Sequence, residues 1–196
     1  MPIQRAIISV SNKIGLSELG PFLKTYNVEI LSTGGTKKYL ESLGIETLEI
    51  SAYTGFPEIM DGRVKTLHPK VHGGILNIRD NKDHQKAMEL HGIKPIDLII
   101  VNLYPFREVV AAKCTFEEAI ENIDIGGPSM IRAAAKNFRY VTVIVDPDDY
   151  PELMKNMRAN NGDTTLEFRF YLAKKVFNLT YQYDRAIFEY LASAKL

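Results

Sequence analysis

The chain has 196 residues, 45% of them hydrophobic, and its 24 basic and 24 acidic side chains leave a formal net charge of zero. That length can bury a substantial core, and the balanced charge argues against a general nucleic-acid-binding protein. The single cysteine, Cys114, excludes an intrachain disulfide, no signal peptide is recognisable, and no apolar stretch approaches the ~20 residues of a membrane span. We therefore expect a cytoplasmic globular protein with no membrane or nucleic-acid partner.

Short apolar runs alternate along the chain with segments of helical period. The predicted strands are residues 6–10, 28–31, 45–50, 98–101 and 141–145. The predicted helices are residues 16–26, 37–43, 81–91 and 129–137, a short one opened by the capping-box spacing at Thr115, and a long one from Thr165. This alternation predicts one α/β domain with a mostly parallel sheet and helices on both faces.

The C-terminal helix carries an apolar stripe that predicts packing, in the core or at an interface, and not a site. Its members are Leu166, Phe170, Leu172, Ala173, Val176, Phe177 and Tyr181.

The loop between Gly62 and Pro69 places unlike polar groups within six positions. It holds the Arg63 guanidinium, the Lys65 ammonium, the Thr66 hydroxyl and an imidazole, and neither a strand nor a helix is expected to run through it. Such a set suits a phosphorylated or oxyanionic ligand, although an ordinary surface loop is an equal alternative on these residues alone.

Two hydroxyl-bearing turns follow the first two predicted strands, each before a helix. One is Ser11-Asn12-Lys13, and the other is Ser32-Thr33-Gly34-Gly35-Thr36-Lys37. Free N–H groups at a helix start attract anions, so the pair indicates a phosphate monoester site, with simple N-capping as the alternative for either turn. Neither turn is a Walker A loop or a GxGxxG motif, which argues against triphosphate hydrolysis and dinucleotide binding.

Two later strand ends also carry polar groups. The strand at 98–101 runs into Asn102 and Tyr104, and Tyr104 precedes a proline, which restricts its backbone. Asp124 stands before Gly126 and Gly127, whose N–H groups could form an oxyanion hole. The helix that follows carries Lys136, which could exchange a proton with Asp124 if the two met in one pocket.

Other candidates are weaker. His68 and His72 lie four residues apart but lack a third ligand nearby, and Cys114 has no partner histidine in view. We predict no metal site and no cofactor. Asp146 and the residues after it predict a turn and a helix cap.

Five segments together resemble the inosine monophosphate (IMP) cyclohydrolase domain of bifunctional purine-biosynthesis enzymes. They are Ser9-Val10-Ser11-Asn12-Lys13, Ser32-Thr33-Gly34-Gly35-Thr36, Gly62-Arg63-Val64-Lys65-Thr66-Leu67-His68-Pro69, Asn102-Leu103-Tyr104-Pro105-Phe106, and Asp124-Ile125-Gly126-Gly127 with Ala133-Ala134-Ala135-Lys136-Asn137. The resemblance implies a methylglyoxal-synthase-like fold, a Rossmann-like three-layer sandwich. It also implies closure of 5-formamidoimidazole-4-carboxamide ribotide (FAICAR) to IMP with loss of water.

The resemblance also implies roles for particular residues. Lys65, Tyr104, Asp124 and Lys136 would form the acid–base cluster, with Asp124 and Lys136 deprotonating the carboxamide and Lys65 protonating the departing oxygen. The phosphate would be held by Ser11, Lys13, Ser32, Thr33, Gly34, Gly35 and Thr36. The remaining substrate contacts would come from Arg63, Thr66, Asn102, Gly126 and Gly127.

The resemblance covers nearly all of residues 1–196, so we interpret the chain as one cyclohydrolase domain without the transformylase domain. It is then either a free-standing enzyme or an excised domain, and the family allows a homodimer. Asn12 and Ile14 stand where the family commonly has Asp and Thr, which affects the first phosphate turn. The alternatives are a ribonucleotide-sensing module, which needs no proton-transfer set, and methylglyoxal synthase, for which Asp124 lacks a clear histidine partner.

Overall fold

The computed structural model describes residues 1–103, 106–112 and 114–194. In this part of the chain, five parallel strands form one sheet. They are β1 (Arg5–Ser9), β2 (Glu29–Ser32), β3 (Leu48–Glu49), β4 (Leu98–Val101) and β5 (Thr142–Ile144), in the spatial order β3-β2-β1-β4-β5. Ile7 and Ile8 of the central strand are fully buried, as expected for a sheet that is covered on both faces.

The helices are α1 (Leu16–Thr25), α2 (Gly34–Ser42), α3 (Ile50–Thr54), α4 (Pro69–Leu76), α5 (Lys82–Leu90), α6 (Phe106–Ala111), α7 (Phe116–Glu121), α8 (Gly126–Lys136), α9 (Tyr150–Ala159) and α10 (Leu166–Ser193). Helix α1 packs with α2 and α9, whereas α8 packs with α4 and α10. Because right-handed crossovers place these groups on opposite sides of a parallel sheet, the result is a helix–sheet–helix sandwich. The predicted α/β architecture is confirmed.

Most predicted elements are present with shifted ends. Strand β4 has the predicted bounds, and Thr115 forms the predicted capping box with Glu118. The third strand was predicted as residues 45–50 but contains two residues, because Ile50 already begins α3. Helix α8 begins at Gly126, three residues earlier than predicted.

Helix α4 was not predicted, because two glycines interrupt its apolar pattern. Those glycines allow close packing: a Cβ on Gly74 would lie 2.7 Å from the carbonyl oxygen of Lys94. His68 caps the helix by accepting a hydrogen bond from the Lys70 N–H at its Nδ1 atom, and Pro69 occupies the first helical turn.

The C-terminal helix buries part of the stripe that was predicted to pack in the core or at an interface. Thr165 caps α10 by accepting a hydrogen bond from the Phe168 N–H, and Leu172, Ala173 and Val176 are buried as predicted. The other four members of the predicted stripe, Leu166, Phe170, Phe177 and Tyr181, are exposed to solvent. Although α10 is long, no helix in the described ranges is apolar enough over a sufficient length to cross a bilayer.

The order of the strands fixes where a ligand would bind. After β1 the chain adds β2 and β3 on one side of the sheet, then crosses to add β4 and β5 on the other. The resulting crevice lies beyond the carboxyl ends of β1 and β4, which is where ligands bind in open parallel sheets.

Candidate active site

The first turn, after β1, is held closed by Asn102 at the end of the neighbouring strand β4. The Oδ1 atom of Asn102 accepts hydrogen bonds from the Ser11 N–H at 2.7 Å, the Ser11 hydroxyl at 2.8 Å and the Asn12 N–H at 3.3 Å. Asn12 in turn accepts a hydrogen bond from the Ile14 N–H at 2.9 Å. One side chain therefore joins two strand ends across the crevice.

Lys13 folds back over this turn. Its Nζ atom donates to the carbonyl oxygens of Val10 and Ser11, at 2.5 and 3.1 Å. Both partners are neutral, and partial burial lowers the pKa of Lys13 from its ordinary value. A cation that is partly desolvated and bonded to carbonyl groups would be stabilised by an incoming anion.

The second turn, after β2, is anchored through two buried hydroxyl groups. Ser32 donates to the carbonyl oxygen of Ile8, and Thr36 donates to that of Val10 while accepting a hydrogen bond from the Val10 N–H. Because a phosphate oxygen needs a donor, the hydroxyls of Ser32 and Thr36 are not available to it in this arrangement. Their predicted phosphate contacts would have to come from the backbone.

The backbone at the start of α2 is open to solvent. Thr33 caps the helix without a side-chain hydrogen bond, and a Cβ added to Gly34 or Gly35 would have no heavy atom within 4 Å. The first N–H groups of a helix lack partners within the helix and carry partial positive charge. Gly34 and Gly35 therefore leave room for an anion at this helix end, about as the sequence predicted.

The cationic loop is a tight turn that faces solvent. Ile59 and Val64 form an antiparallel bridge, and Met60, Asp61 and Gly62 between them all have positive φ, of 55°, 53° and 89°. For the two residues that are not glycine this backbone is unfavourable.

The two cations on this loop are paired with carboxylates that sequence analysis did not identify. Arg63 forms a bidentate ion pair with Glu121 at the end of α7, and Lys65 lies 3.8 Å from Glu58. The hydrogen bond to Glu121 and its charge raise the pKa of Arg63, and the same hydrogen bond lowers the pKa of Glu121. Both pairs are exposed, so an anionic ligand could displace either one.

The turn before α8 adjoins this loop. Asp124 accepts a hydrogen bond from the Gly127 N–H at 2.9 Å, and a Cβ on Gly127 would lie 2.4 Å from the Asp124 carboxylate. A Cβ on Gly126 would lie 2.7 Å from the Oγ1 atom of Thr66, which is buried. A side chain at either glycine would therefore force Thr66 or Asp124 to move, and Thr66 brings the cationic loop to the start of the helix.

The predicted oxyanion hole needs one correction. The Gly127 N–H donates to Asp124, so it does not face an oxyanion in this arrangement. Gly126, the first residue of α8, has one of the N–H groups without a helical partner and is the better donor of the two.

Tyr183 is a positioning residue that sequence analysis missed. Its hydroxyl accepts a hydrogen bond from the Asp124 N–H at 2.8 Å, and burial raises its pKa. It lies on α10, which was predicted only to pack. The sequence offers no local signal for this contact because 59 positions separate the two residues.

Lys136 and Asp124 lie toward opposite ends of α8. Lys136 is the last residue of the helix and Asp124 precedes the first, so the helix between them has about 15 Å of axial rise. The pairing of Lys136 with Asp124 stays a prediction. Tyr104, the fourth member of the predicted cluster, lies outside the described residues.

No group of three or more His, Cys, Asp or Glu side chains suited to a metal ion occurs in the described ranges. What the crevice brings together is a set of anion-binding groups from the first two strand ends, and beside them a carboxylate and two cations. This arrangement can hold a phosphorylated ligand and move protons at its other end.

The fold and this crevice define a class of protein. The family model for the MGS-like domain matches residues 15–129, and the chain belongs to that family. Residues 134–196 match the family model described as AICARFT/IMPCHase bienzyme.

Named relatives make the likeness more specific. The chain is 58% identical over 187 residues to the bifunctional purine biosynthesis protein PurH of Rhodospirillum rubrum, and 58% identical over 193 residues to PurH of Chlorobium phaeobacteroides. These matches cover 95% and 98% of this chain but 36% and 37% of the relatives, so the chain spans about a third of their length. The crystal structure of ForH is 34% identical and superposes with a TM-score of 0.83, covering 95% of this chain and 98% of ForH.

Proposed function

We propose that the chain is an IMP cyclohydrolase, which joins the carboxamide and formamido arms of FAICAR into a six-membered ring to give IMP and water. The observation that carries the proposal is the approach of Thr66 to Gly126, since it unites the cationic loop with the Asp124 turn. Residues 1–196 would form this catalytic unit, without a cofactor or metal. A chain with a single cysteine suits the reducing cytoplasm, where we place it.

The reaction defines what the site must supply. The carboxamide nitrogen attacks the formyl carbon and loses a proton, and the carbinolamine then loses its hydroxyl group as water. An amide nitrogen is a poor nucleophile and hydroxide is a poor leaving group, so a base and an acid both accelerate the reaction. Because both arms belong to one molecule, holding them in position lowers much of the barrier.

The residues divide between these tasks. Lys13 and the N–H groups that start α2 would hold the 5′-phosphate, and Arg63 would contact the ribose or base. Asp124, oriented through Gly127 and Tyr183, would accept the carboxamide proton. Lys65 would donate to the departing oxygen, and Tyr104 would orient or relay.

Lys136 is the fourth residue of the proposed acid–base set. It lies at the opposite end of α8 from Asp124, and the proposal keeps it as the partner of Asp124 in deprotonating the carboxamide, supplied by the same chain or by a second copy in a homodimer. Asp124, Lys136, Lys65 and Tyr104 then share the acid–base steps.

The alternative of a ribonucleotide sensor shares the anion site. A sensor would have no use for a carboxylate that the Gly127 N–H orients, on a residue whose own N–H is bonded to Tyr183, and Asp124 therefore favours an enzyme. For methylglyoxal synthase chemistry the site would need a histidine electrophile beside that carboxylate. His68 instead accepts a helix-capping hydrogen bond at Nδ1.

The test is an ultraviolet assay of IMP formation by the purified chain supplied with FAICAR. We expect Lys65→Ala to lower kcat by about 10²- to 10⁴-fold, the usual contribution of a positioned acid. Lys70→Ala, a matched lysine change in the first turn of α4, should leave kcat within a factor of about three. Tight FAICAR binding without turnover would instead indicate a sensor.

Lys136→Ala tests the remaining residue. Near-normal turnover would remove Lys136 from the mechanism. A large loss would be informative in a mixture, because Lys65→Ala and Lys136→Ala chains together regain activity only if Lys136 acts in the site of a second copy.

A further inference from the structure

Lys13 is a lysine whose hydrogen-bond partners are all neutral. Its Nζ atom donates to the carbonyl oxygens of Val10 and Ser11, at 2.5 and 3.1 Å, and within residues 1–103, 106–112 and 114–194 it forms no ion pair. Lysines that do pair with carboxylates are Lys37, Lys65, Lys86, Lys155 and Lys175. Lys13 therefore lacks the counter-charge that stabilises the ammonium form of a lysine.

The position of Lys13 also works against a positive charge. Thr36, in the first turn of α2, donates to the same Val10 oxygen as Lys13 does, so the Lys13 amine lies beside the start of that helix. A helix start carries partial positive charge, which disfavours a cation there until an anion arrives. Partial burial acts in the same direction and lowers the pKa of Lys13 from its ordinary value. A larger share of Lys13 is therefore the neutral, nucleophilic amine than of an exposed lysine.

The two carbonyl groups also orient the amine. A neutral lysine amine has two N–H bonds and one lone pair. When its N–H groups donate to Val10 and Ser11, the lone pair points away from both oxygens. The nucleophilic side of the nitrogen is then directed away from the backbone of the turn and can meet a ligand.

An anion site lies next to this amine. Gly34 and Gly35 leave open space at the first N–H groups of α2, where a phosphate can bind. Atoms attached to that phosphate would lie within reach of Lys13. Holding a reactive carbon beside a nucleophile raises its effective concentration, so a weak reaction in solution becomes favourable in the site.

We propose that Lys13 is a site of reversible covalent modification by small aldehydes that carry a phosphate monoester, with which it forms an imine. The aldehyde carbon must lie only a few bonds from the phosphorus, because the amine adjoins the phosphate site. The inference goes beyond the proposed cyclohydrolase activity, since it shares the anion site with that activity but uses none of the acid–base residues.

The reaction needs no co-reactant besides the aldehyde. The lone pair of the Lys13 Nζ atom attacks the aldehyde carbon, and the π electrons of the C=O bond move to the oxygen. A proton passes through solvent from nitrogen to that oxygen. The carbinolamine then loses its hydroxyl group together with the second N–H proton as water, which leaves a C=N bond. No atom is oxidised or reduced, and hydrolysis reverses each step.

Lys38 provides an internal comparison. It lies on α2, the helix that begins at the anion site, and it is exposed to solvent. Accessibility alone therefore favours reaction at Lys38. The neutral partners of Lys13 and its place beside the helix start favour reaction at Lys13 instead.

The test is labelling of the purified chain with pyridoxal 5′-phosphate, whose aldehyde and phosphate arms are on adjacent ring carbons. Borohydride reduction fixes the imine, and peptide mass spectrometry identifies the lysine. We expect Lys13 to be labelled at least about tenfold faster than Lys38, because the bound phosphate holds the aldehyde beside it. Inorganic phosphate should protect Lys13, and pyridoxal, which has no phosphate, should not show the preference.

Two matched variants check the assignment. Lys13→Arg keeps a positive charge but cannot form an imine, so the fast phase of incorporation should disappear. Lys38→Arg makes the same change on α2 and should leave the labelling of Lys13 as it was. Circular dichroism checks that both variants are folded. Faster labelling of Lys38 than of Lys13, or equal rates with pyridoxal and pyridoxal 5′-phosphate, would overturn the proposal.

Lys65→Ala separates this inference from the cyclohydrolase proposal. Lys65 takes no part in imine formation, so the variant should be labelled at Lys13 as fast as the unchanged chain. A chain that is labelled at Lys13 but does not convert FAICAR would contradict the cyclohydrolase proposal alone. A chain that converts FAICAR without preferential labelling of Lys13 would contradict this inference alone.

Discussion

The two ends of the crevice are built differently. At the end proposed to hold the phosphate, here called the phosphate end, the polar side chains of Ser32 and Thr36 are buried and bonded to the backbone of Ile8 in β1 and of Val10 just after it. At the end proposed for the acid–base chemistry, here called the acid–base end, Arg63 and Lys65 are 64% and 39% exposed and are paired with carboxylates. The phosphate end is therefore rigid before a ligand binds. At the acid–base end, Arg63 and Lys65 must leave their carboxylate partners before they can contact a ligand.

This difference indicates where each kind of specificity arises. Backbone N–H groups held in place by buried hydrogen bonds need little reorganisation to receive an anion. Exposed ion pairs contribute little to folding, so a ligand can replace them at small cost. Asp124 lies between these cases, since it is fixed by Gly127 and Tyr183 yet adjoins the adjustable loop.

Gly127→Ala, at the acid–base end of the crevice, should have the largest effect on activity. The new Cβ would lie 2.4 Å from the Asp124 carboxylate, so that carboxylate would have to move while the helix itself tolerates alanine well. We expect kcat to fall by at least about 100-fold, as a displacement near 1 Å can cause. Steady-state kinetics with FAICAR measures the effect.

Gly35→Ala is the matched change at the phosphate end. Its Cβ would enter open space where the phosphate is proposed to bind, so KM should rise while kcat stays within a factor of about three. If KM rises in both variants while kcat stays unchanged in both, Asp124 takes no part in the chemistry.

Thr36→Val tests whether the buried hydrogen bonds at the phosphate end stabilise the fold. Valine keeps the shape but leaves the buried Val10 N–H without an acceptor, which we expect to lower the free energy of unfolding by about 1–3 kcal/mol. Urea unfolding followed by circular dichroism measures it, and Thr36→Ser should retain most of the stability.

The neighbouring Thr33 provides a control for that change. Its side chain makes no capping hydrogen bond, so Thr33→Val should cost clearly less than Thr36→Val. Equal losses for the two variants would show that the bond to Val10 is not what stabilises the turn.

The sequence predicted the fold well where local patterns suffice. The continuous apolar run of β4 and the capping box at Thr115 were both correctly placed, because each depends on a few adjacent residues. Helix α4 was missed because Gly73 and Gly74 serve a distant packing contact. The outward side of α10 was predicted only to pack, in the core or at an interface, since periodicity reveals an apolar face but not what covers it.

The site was predicted less completely, for a similar reason. Residue types at strand ends were enough to propose Lys13, Asp124 and the glycine turns as site residues. The partners that occupy them, such as Tyr183 and Glu121, are distant in sequence and carry no motif. The pairing of Lys136 with Asp124 stays a prediction, because the two residues lie toward opposite ends of α8 and a shared helix face does not by itself bring such ends together.

Glu121→Gln, at the acid–base end, should have the smallest effect of these changes. It removes the carboxylate that holds Arg63, and because this pair is fully exposed, the unfolding temperature should not change measurably. The freed guanidinium would be available to the ligand, so KM for FAICAR should fall by a factor of about two to five at low salt, with kcat unchanged. Raising the salt concentration should abolish the difference in KM, because screening weakens the interactions of exposed charges.

Glu117→Gln on the same helix is the control. Glu117 is not paired with Arg63, so this change should leave KM as it was. An unchanged KM for Glu121→Gln at every salt concentration would mean that Arg63 does not contact the substrate, and the adjustable end would then consist of Lys65 alone.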